Sequence, residues 1–228
     1  MPLIVADSVT KELGGGEMGL LTTVLDNVSM SIDEGEFVAI TGPSGSGKST
    51  LLYLLGLLDR PTSGVVSFDG ASIEKLEDRD LARIRNRKIG FIYQFHFLLP
   101  EFSALENVVI PMRAGTGMSL KQAEERAAAI LGSMDMGGHL KKRPNQLSGG
   151  QQQRVAIARA MANSPKAIFG DEPTGNLDSK NSAAIFDLFE KLNRETNQTL
   201  VVVTHDRELA KRAHRVVTVR DGKIEDRD

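Results

Sequence analysis

The sequence of 228 residues contains no cysteine and no tryptophan, and only 5% of its residues are aromatic. Without cysteine, disulfide bonds and thiolate metal sites are excluded. The few aromatic residues do not alternate with basic ones, which gives no support for stacking on nucleic-acid bases. Lys and Arg number 28 against 30 Asp and Glu. The net charge of -2 therefore provides no basic field for nucleic acid or for an anionic lipid surface.

Long hydrophobic runs are also missing. The longest uncharged stretch, residues 89–100, falls well short of the ~18 residues that a membrane-spanning helix needs. The first residues show no basic segment followed by an apolar one, so we expect no secretory signal. Hydrophobic residues make up 40% of the chain, and at roughly 150 residues per domain the length fits one large domain or one domain with an insertion. We expect a folded chain that reaches a membrane only through a partner.

Short apolar runs alternate with helical patterns along the chain, and Gly, Pro and Asp separate them. This alternation is typical of strands joined by helices in an α/β architecture. The last two runs flank Asp221 and Gly222, which form a turn signal for a hairpin. We expect the first and last strands to be antiparallel and the middle strands to be buried. The predicted strands cover residues 3–9, 24–32, 36–40, 65–68, 89–93, 167–169, 199–203, 216–219 and 223–225.

A helical pattern replaces the strand pattern between residues 97 and 165. Ser119 and Gln122 have the spacing of a capping box and predict a helix that runs to about Met136. We interpret this region as a helical insertion in a sheet domain. The predicted division gives a core domain of residues 1–94 and 165–228 and a helical subdomain of residues 95–164.

One glycine-rich segment matches the pattern G-x-x-x-x-G-K-S/T. It follows the strand that ends at Ile40 and precedes a helix that starts near Lys48, which is the context that a phosphate-binding loop requires. In such loops backbone N–H groups surround the phosphates, the Lys reaches the β- and γ-phosphates, and the final hydroxyl ligates Mg²⁺. An ordinary Gly/Ser-rich turn is the alternative, which motif and context together disfavour. The loop consists of Gly42, Pro43, Ser44, Gly45, Ser46, Gly47, Lys48 and Ser49.

Further predicted strands lead into polar side chains. Asp171 and Glu172 lie at the strand edge where ligands bind in open α/β sheets. There Asp171 can hold Mg²⁺ through water, and Glu172 can polarise the water that attacks the γ-phosphate. An acid pair alone more often begins a solvated loop, so this assignment depends on the phosphate loop. Gln94 and His205 also follow strands, but their spacing alone gives them no role.

A second helix N-terminus is predicted at Ser148, which has the capping-box spacing to Gln151. Gly149 and Gly150 leave backbone amides uncovered at the start of that helix, which suits an anion. An ordinary capped helix start is the alternative. Beside a phosphate loop, a second helix N-terminus of this kind favours a nucleotide held between two surfaces.

Taken in order, these motifs resemble those of the ATP-binding subunits of ABC transporters over essentially the whole chain. The matching segments are the phosphate loop, the glutamine loop at Gln94, the signature sequence of residues 147–151, the carboxylate strand that leads to Glu172, the D-loop of residues 175–178 and the switch histidine His205. The resemblance implies the ABC ATPase fold, which is an α/β phosphate-loop NTPase core with a mixed sheet, an antiparallel β edge and an inserted helical subdomain.

The resemblance also implies a homodimer in which ATP lies between the phosphate loop of one subunit and the signature helix of the other. Catalysis is implied for Lys48, Glu172 and His205, and Mg²⁺ binding for Ser49, Gln94 and Asp171. Leu13 occupies the place where the family often has an aromatic residue that stacks on adenine, so we expect an apolar contact and loose base selectivity. The other implied nucleotide contacts are Thr50 and, from the second subunit, Ser148, Gly149, Gly150 and Gln151.

Residues 90–100 and 104–108 resemble the branch of the family that works with mechanotransmitting membrane partners, and within it the ATPases of bacterial lipoprotein-releasing complexes. This implies integral-membrane partner subunits, a place on the cytoplasmic face of the inner membrane, and only indirect handling of lipoprotein cargo. The exposed face after Gln94, with Phe95, His96 and Phe97, is predicted to dock a partner helix. Burial of both phenylalanines in the core is the alternative.

Other functions remain as alternatives with discriminating features. ATPases of macrolide or peptide efflux and of cell-division complexes belong to the same branch. A soluble chromosome-maintenance or repair ATPase would need long coiled-coil heptads, which the sequence lacks. A tandem translation ATPase would need a second phosphate loop, and a small-molecule kinase would lack residues 147–151.

Overall fold

The computed structural model of the chain describes residues 2–14, 19 and 21–225, and for residue 116 only the backbone. Its centre is a six-stranded sheet with the order β10-β9-β3-β8-β7-β6. All neighbours are parallel except β10, which joins β9 antiparallel. The strands are β3 (Phe37–Thr41), β6 (Ile89–Tyr93), β7 (Ala167–Asp171), β8 (Thr199–Val203), β9 (Arg215–Arg220) and β10 (Lys223–Glu225).

The middle strands of this sheet are buried because layers cover both faces. Every residue of β8 is buried, as are the first four residues of β3 and of β7. This explains their continuous apolar sequences, which are typical of parallel strands. The hairpin predicted at Asp221 and Gly222 is confirmed, with φ angles of 47° and 76° that suit a two-residue turn.

A second, four-stranded sheet is antiparallel and has the order β2-β1-β4-β5. Helix α1 (Lys48–Leu55) packs between the two sheets, because its four buried leucines share one apolar cluster with Ile4 and Val203. Burying a leucine is worth about 1.5–3 kcal/mol. The strands are β1 (Pro2–Gly14), β2 (Leu21–Asp33), β4 (Ser63–Phe68) and β5 (Ala71–Ser72). The expected α/β fold with a mixed sheet and an antiparallel sheet is confirmed.

Six further helices complete the described chain. Three of them begin with a capping box, in which Ser103, Ser119 or Ser148 exchanges hydrogen bonds with the residue three positions later. The helices are α2 (Asp78–Lys88), α3 (Ala104–Thr116), α4 (Leu120–Ser133), α5 (Gly149–Ala160), α6 (Ser179–Thr196) and α7 (Arg207–Ala210), with short 3-10 turns at Gly137–His139 and Pro144–Gln146.

The helices α3, α4 and α5 pack on one another and share an apolar cluster with Phe37 and Val202 of the central sheet. The helix that was predicted to reach Met136 ends at Ser133, because Asp135 takes a left-handed conformation with φ 59°. The cluster crosses from helices to sheet, so the division at residues 95 and 164 stays a prediction. Among the helices of the described chain, none combines the length and apolar character needed to cross a bilayer.

Candidate active site

The phosphate loop connects β3 to α1 in a backbone shape that requires glycine. The φ angle of Gly42 is 145°, and a Cβ there would lie 2.0 Å from the carbonyl oxygen of Val219. The φ angle of Gly47 is 101°, and its Cβ would lie 2.8 Å from the carbonyl oxygen of Val24. The loop therefore lies directly against two strands. Ser46 is buried, and its hydroxyl has no hydrogen-bond partner among the described residues.

Lys48 places a positive charge at this loop. Its ammonium group donates a hydrogen bond to the carbonyl oxygen of Pro43 at 2.6 Å, so the side chain folds back across the loop. The N-terminus of α1 adds a partial positive charge at the same place. Together they create a site that favours an anion.

Asp171 ends β7 and accepts two hydroxyl hydrogen bonds from α1. Ser49 donates to its Oδ1 at 2.9 Å, and Tyr53 donates to its Oδ2 at 2.6 Å. Burial, and then the hydrogen bond to Asp171, raise the pKa of Tyr53 well above its ordinary value, so Tyr53 stays a donor. Both oxygens of Asp171 are thus fixed in orientation.

Glu172 and His205 form the next contact along the same edge. Glu172 Oε2 lies 2.7 Å from His205 Nδ1, with the Glu172 side chain 20% exposed and the His205 side chain 72% exposed. Glu172 has a φ angle of 47°. A non-glycine residue in this region costs about 1–3 kcal/mol, and such residues cluster at functional sites. The strained backbone turns the carboxylate towards His205 instead of continuing the strand.

Gln94 follows β6 and pairs with the D-loop. Asn176 Nδ2 donates to the carbonyl oxygen of Gln94 at 3.1 Å, and Gln94 Nε2 donates to Asn176 Oδ1 at 3.4 Å. Ser49, Gln94 and Asp171 offer hydroxyl, amide and carboxylate oxygens, which are the hard ligands that Mg²⁺ prefers. The described residues contain no cluster of three or more acidic or histidine side chains that could bind a metal alone. A magnesium ion at this place would depend on the oxygens of a bound phosphate.

The signature segment lies elsewhere on the surface. Ser148 caps α5: its hydroxyl accepts from the Gln151 N–H, and Gln151 Oε1 accepts from the Ser148 N–H. Ser148 and Gly149 are exposed, and Gly150 packs on Asn181 of α6. Within the described part of the chain, no hydrogen bond or ion pair joins this helix start to residues 42–49. The two anion-ready helix starts are thus separate in one copy of the chain.

The two remaining predicted nucleotide contacts lie on different elements. Thr50 is partly buried in the first turn of α1. Leu13 is 47% exposed near the end of β1. Lys11, two residues before Leu13, donates hydrogen bonds to Asp59 and to the carbonyl oxygen of Arg60, both at 2.8 Å. A cavity of about 390 Å³ adjoins the loop and His205 on the side of β9.

Two residues of the site were missed by the sequence analysis. Tyr53 lies four positions after Ser49 on α1, and that spacing was a usable signal because such residues share a helix face. Asn176 was included in the D-loop, but its pairing with Gln94 depends on a loop conformation that no spacing indicates.

Comparison with known proteins gives relatives over nearly the whole chain. The chain is 56% identical over 202 residues to the lipoprotein-releasing system ATP-binding protein LolD 1 of Chlorobium chlorochromatii, a match that covers 89% of this chain and 82% of that protein. It is 50% identical to the macrolide export ATP-binding/permease protein MacB of Syntrophobacter fumaroxidans, over 99% of this chain and 31% of that protein.

The fold is also similar to that of solved structures. The ATP-binding cassette MJ0796, in a dimeric post-hydrolysis state bound to ADP and Pi, superimposes with a TM-score of 0.90 at 45% identity, over 99% of this chain and 97% of that one. The family model described as ABC transporter matches residues 25–175, which is more than half of the sequence. With the motifs assembled as described, the chain belongs to the ABC transporter family, as one of its ATP-binding, ATP-hydrolysing members.

Proposed function

We propose that this chain is the ATP-hydrolysing subunit that powers release of lipoproteins from the bacterial inner membrane through membrane partner subunits. The observation that supports the chemistry is the convergence of Lys48, Asp171, Glu172 and His205 at one edge of the central sheet. The match to LolD 1 supports the cargo, because it covers 82% of that protein, whereas the match to MacB covers only 31% of MacB. The chain would act on the cytoplasmic face of the membrane, bound to its partners.

ATP binding starts with an exchange of hydrogen-bond partners at the phosphate loop. Lys48 leaves the carbonyl oxygen of Pro43 and donates to the β- and γ-phosphates, a stronger charge-assisted contact. Gly42, Gly45 and Gly47 let the loop backbone approach the phosphates, and Thr50 and Leu13 contact the rest of the nucleotide. Mg²⁺ would be held by Ser49, Gln94 and the water shell of Asp171, where it supplies charge neutralisation.

Hydrolysis then uses Glu172 as the general base that takes a proton from the attacking water. His205 Nδ1, 2.7 Å from Glu172 Oε2, orients the carboxylate, and the His205 side chain would contact the γ-phosphate of bound ATP. Phosphoryl transfer depends mainly on positioning and charge stabilisation. The short contact and the strained backbone at Glu172 provide that positioning in the chain itself.

A second copy of the chain completes the site. Ser148 and Gly149 are exposed at the start of α5, Gly150 and Gln151 are partly buried there, and this helix start is separate from residues 42–49. We propose that it binds the γ-phosphate of the ATP held by the partner subunit, so that each nucleotide lies between two subunits. The MJ0796 structure supports this arrangement, since it is described as a dimer bound to ADP and Pi.

The hydroxyl of Tyr53 provides a test of the magnesium site. Replacing Tyr53 with Phe removes the donor to Asp171 and keeps the ring. We expect the Mg²⁺ concentration at half-maximal ATPase rate to rise about tenfold, because outer partners of metal ligands typically affect affinity by 10–100-fold. Tyr93→Phe is the matched control, since no hydrogen bond of the Tyr93 hydroxyl is seen in the described residues. Equal Mg²⁺ dependence in both variants would exclude this role for Tyr53.

The membrane partner is proposed to dock on the aromatic surface after Gln94. Phe95 and Phe97 are 63% and 64% exposed, so the alternative that both belong to the core is wrong. Their rings lie 6.4 Å apart, and Phe97 also meets Tyr93 edge-on at 5.4 Å. An apolar pair exposed beside the loop that would hold Mg²⁺ suits a partner helix.

Phe97→Ala is expected to leave the isolated chain folded with near-normal ATPase activity, and to weaken assembly with the membrane subunits by about 1.5–3 kcal/mol. The substitution should reduce the free energy of assembly and not that of folding, because the ring is exposed in the isolated chain. Leu21→Ala, at an equally exposed position of β2 (61%), is the control. Co-purification of the membrane subunits at the same yield for both variants would exclude this surface as the dock.

The cargo is tested by reconstitution. The chain is co-purified with its membrane subunits and placed in proteoliposomes that carry a labelled lipoprotein and, separately, a labelled macrolide. We expect ATP-dependent release of the lipoprotein. Macrolide transport without lipoprotein release would assign the chain to the efflux branch instead.

A further inference from the structure

Arg159, in the last turn of α5, makes two hydrogen bonds with the segment after Gln94. Its Nη1 donates to the carbonyl oxygen of Phe97 at 2.6 Å, and its Nη2 donates to the carbonyl oxygen of His96 at 2.8 Å. One planar guanidinium therefore holds two consecutive peptide carbonyls with two separate nitrogens in a fixed geometry, which the freely rotating ammonium group of a Lys does not provide. The contact joins positions 62 and 63 residues apart in the sequence.

The charge of Arg159 is not balanced by a carboxylate. Among the described residues it forms no ion pair, whereas Arg154, the other arginine of α5, does. Burial lowers the pKa of Arg159 below its ordinary value, and only the more weakly interacting Tyr93 opposes this. A partly buried cation that is paired only with carbonyl dipoles is a poor choice for stability alone. Its use points to a role in holding the backbone of residues 96 and 97.

The backbone that Arg159 holds is itself strained. Phe97 has a φ angle of 45°, a conformation that non-glycine residues adopt at a cost and keep only where their surroundings impose it. The two hydrogen bonds from Arg159 supply such a constraint. The backbone from which the exposed ring of Phe97 projects is thereby constrained.

Both ends of the signature helix α5 are connected to the segment around Gln94, one end through the D-loop and the other through Arg159. At its start, α5 lies against the D-loop, where a Cβ on Gly149 would be 3.5 Å from Leu177. Asn176, the residue before Leu177, binds both the backbone and the side chain of Gln94. At its end, α5 binds residues 96 and 97 through Arg159. A helix is rigid over this length, about 15 Å at 1.5 Å per residue, so movement of one end carries the other.

We propose that Arg159 is a positioning residue that locks residues 96 and 97 to α5, so that the docking surface and the signature helix move as one body. This rests on the proposed function in so far as Phe97 lies in the dock and Ser148 binds nucleotide. The link itself is a property of the chain without nucleotide.

The test compares Arg159→Gln and Arg159→Lys with the control Arg154→Gln in the full chain. Arg154 is on the same helix and binds the carbonyl oxygen of Met134 and the carboxylate of Asp135, far from residues 96 and 97 in the sequence. Amide hydrogen exchange of residues 95–99 is measured without nucleotide, together with kcat and KM for ATP. Thermal melting shows whether each variant is folded.

For Arg159→Gln we expect exchange at residues 95–99 to accelerate by about tenfold, the effect of losing a charged hydrogen bond. We expect kcat to fall by about tenfold with KM within about twofold, because Gln94 loses its position while the phosphate loop is untouched. Arg159→Lys should be intermediate in both, and it decides the question if Arg159→Gln does not fold. Arg154→Gln should change neither.

The proposal is overturned if exchange at residues 95–99 rises no more in the Arg159 variants than in Arg154→Gln. It is also overturned if exchange rises while kcat stays unchanged, since the contact would then be only structural. If the unaltered chain hydrolyses no ATP, the proposed function fails, and the exchange comparison still decides whether Arg159 makes the link.

Discussion

Replacing Glu172 with Gln is expected to lower ATP turnover by at least about 10²-fold while ATP still binds. The amide keeps the shape of the side chain and its place beside His205, but it no longer takes a proton from the attacking water. The phosphate loop, Lys48 and Asp171 are unchanged. Steady-state ATPase assays give the turnover, and equilibrium binding of a fluorescent ATP analogue gives the affinity.

The matched control for this variant is Glu208→Gln. Glu208 is an exposed acid on α7 that pairs with Lys211 at 2.7 Å, close to His205 in the sequence but outside the hydrogen-bonded site. It should keep near-normal turnover. Comparable turnover in Glu172→Gln and Glu208→Gln would contradict the assignment of Glu172 as the general base.

Lys48→Ala is expected to weaken ATP binding, the step that precedes hydrolysis. It deletes the cation that faces the β- and γ-phosphates, and losing a charge-assisted hydrogen bond costs about 1.5–3 kcal/mol, or about 10- to 100-fold in ATP affinity. The loop shape should survive, because its glycines and its contacts with β2 and β9 do not involve Lys48. Isothermal titration with ATP and Mg²⁺ measures the effect.

Lys121→Ala, a substitution of an exposed lysine on α4, should bind ATP like the unaltered chain and serves as the control. An unchanged ATP affinity in Lys48→Ala would remove Lys48 from the phosphate contacts. A reduced turnover with normal affinity would contradict its role in binding the ground state.

The phosphate loop could be predicted from sequence because its chemistry is local. Glycine is required where a Cβ would meet the backbone of Val219 or Val24, and such requirements leave a fixed spacing in the sequence. The capping boxes at Ser119 and Ser148 were predictable for the same reason, since both partners lie within one helical turn. The buried middle strands were visible as uninterrupted apolar runs.

Contacts between distant segments could not be predicted in this way. In the sequence Arg159 is an ordinary arginine of a predicted helix. Only the structure shows that it binds the carbonyl groups of residues 96 and 97. Helix α2 was missed because Leu81 is its only buried residue, so it has almost no apolar periodicity. Helix α3 contains Pro111, which weakens a sequence-based helix prediction although the capping box at Ser103 supports its start.

We propose that ATP joins two copies of the chain and that hydrolysis at Glu172 separates them. The most direct measurement is the molar mass of Glu172→Gln by size-exclusion chromatography with light scattering, with and without ATP and Mg²⁺. We predict 24.8 kDa without nucleotide and twice that mass with it. A mass of 24.8 kDa in the presence of ATP, with nucleotide shown to be bound to the eluted protein, would contradict the claim.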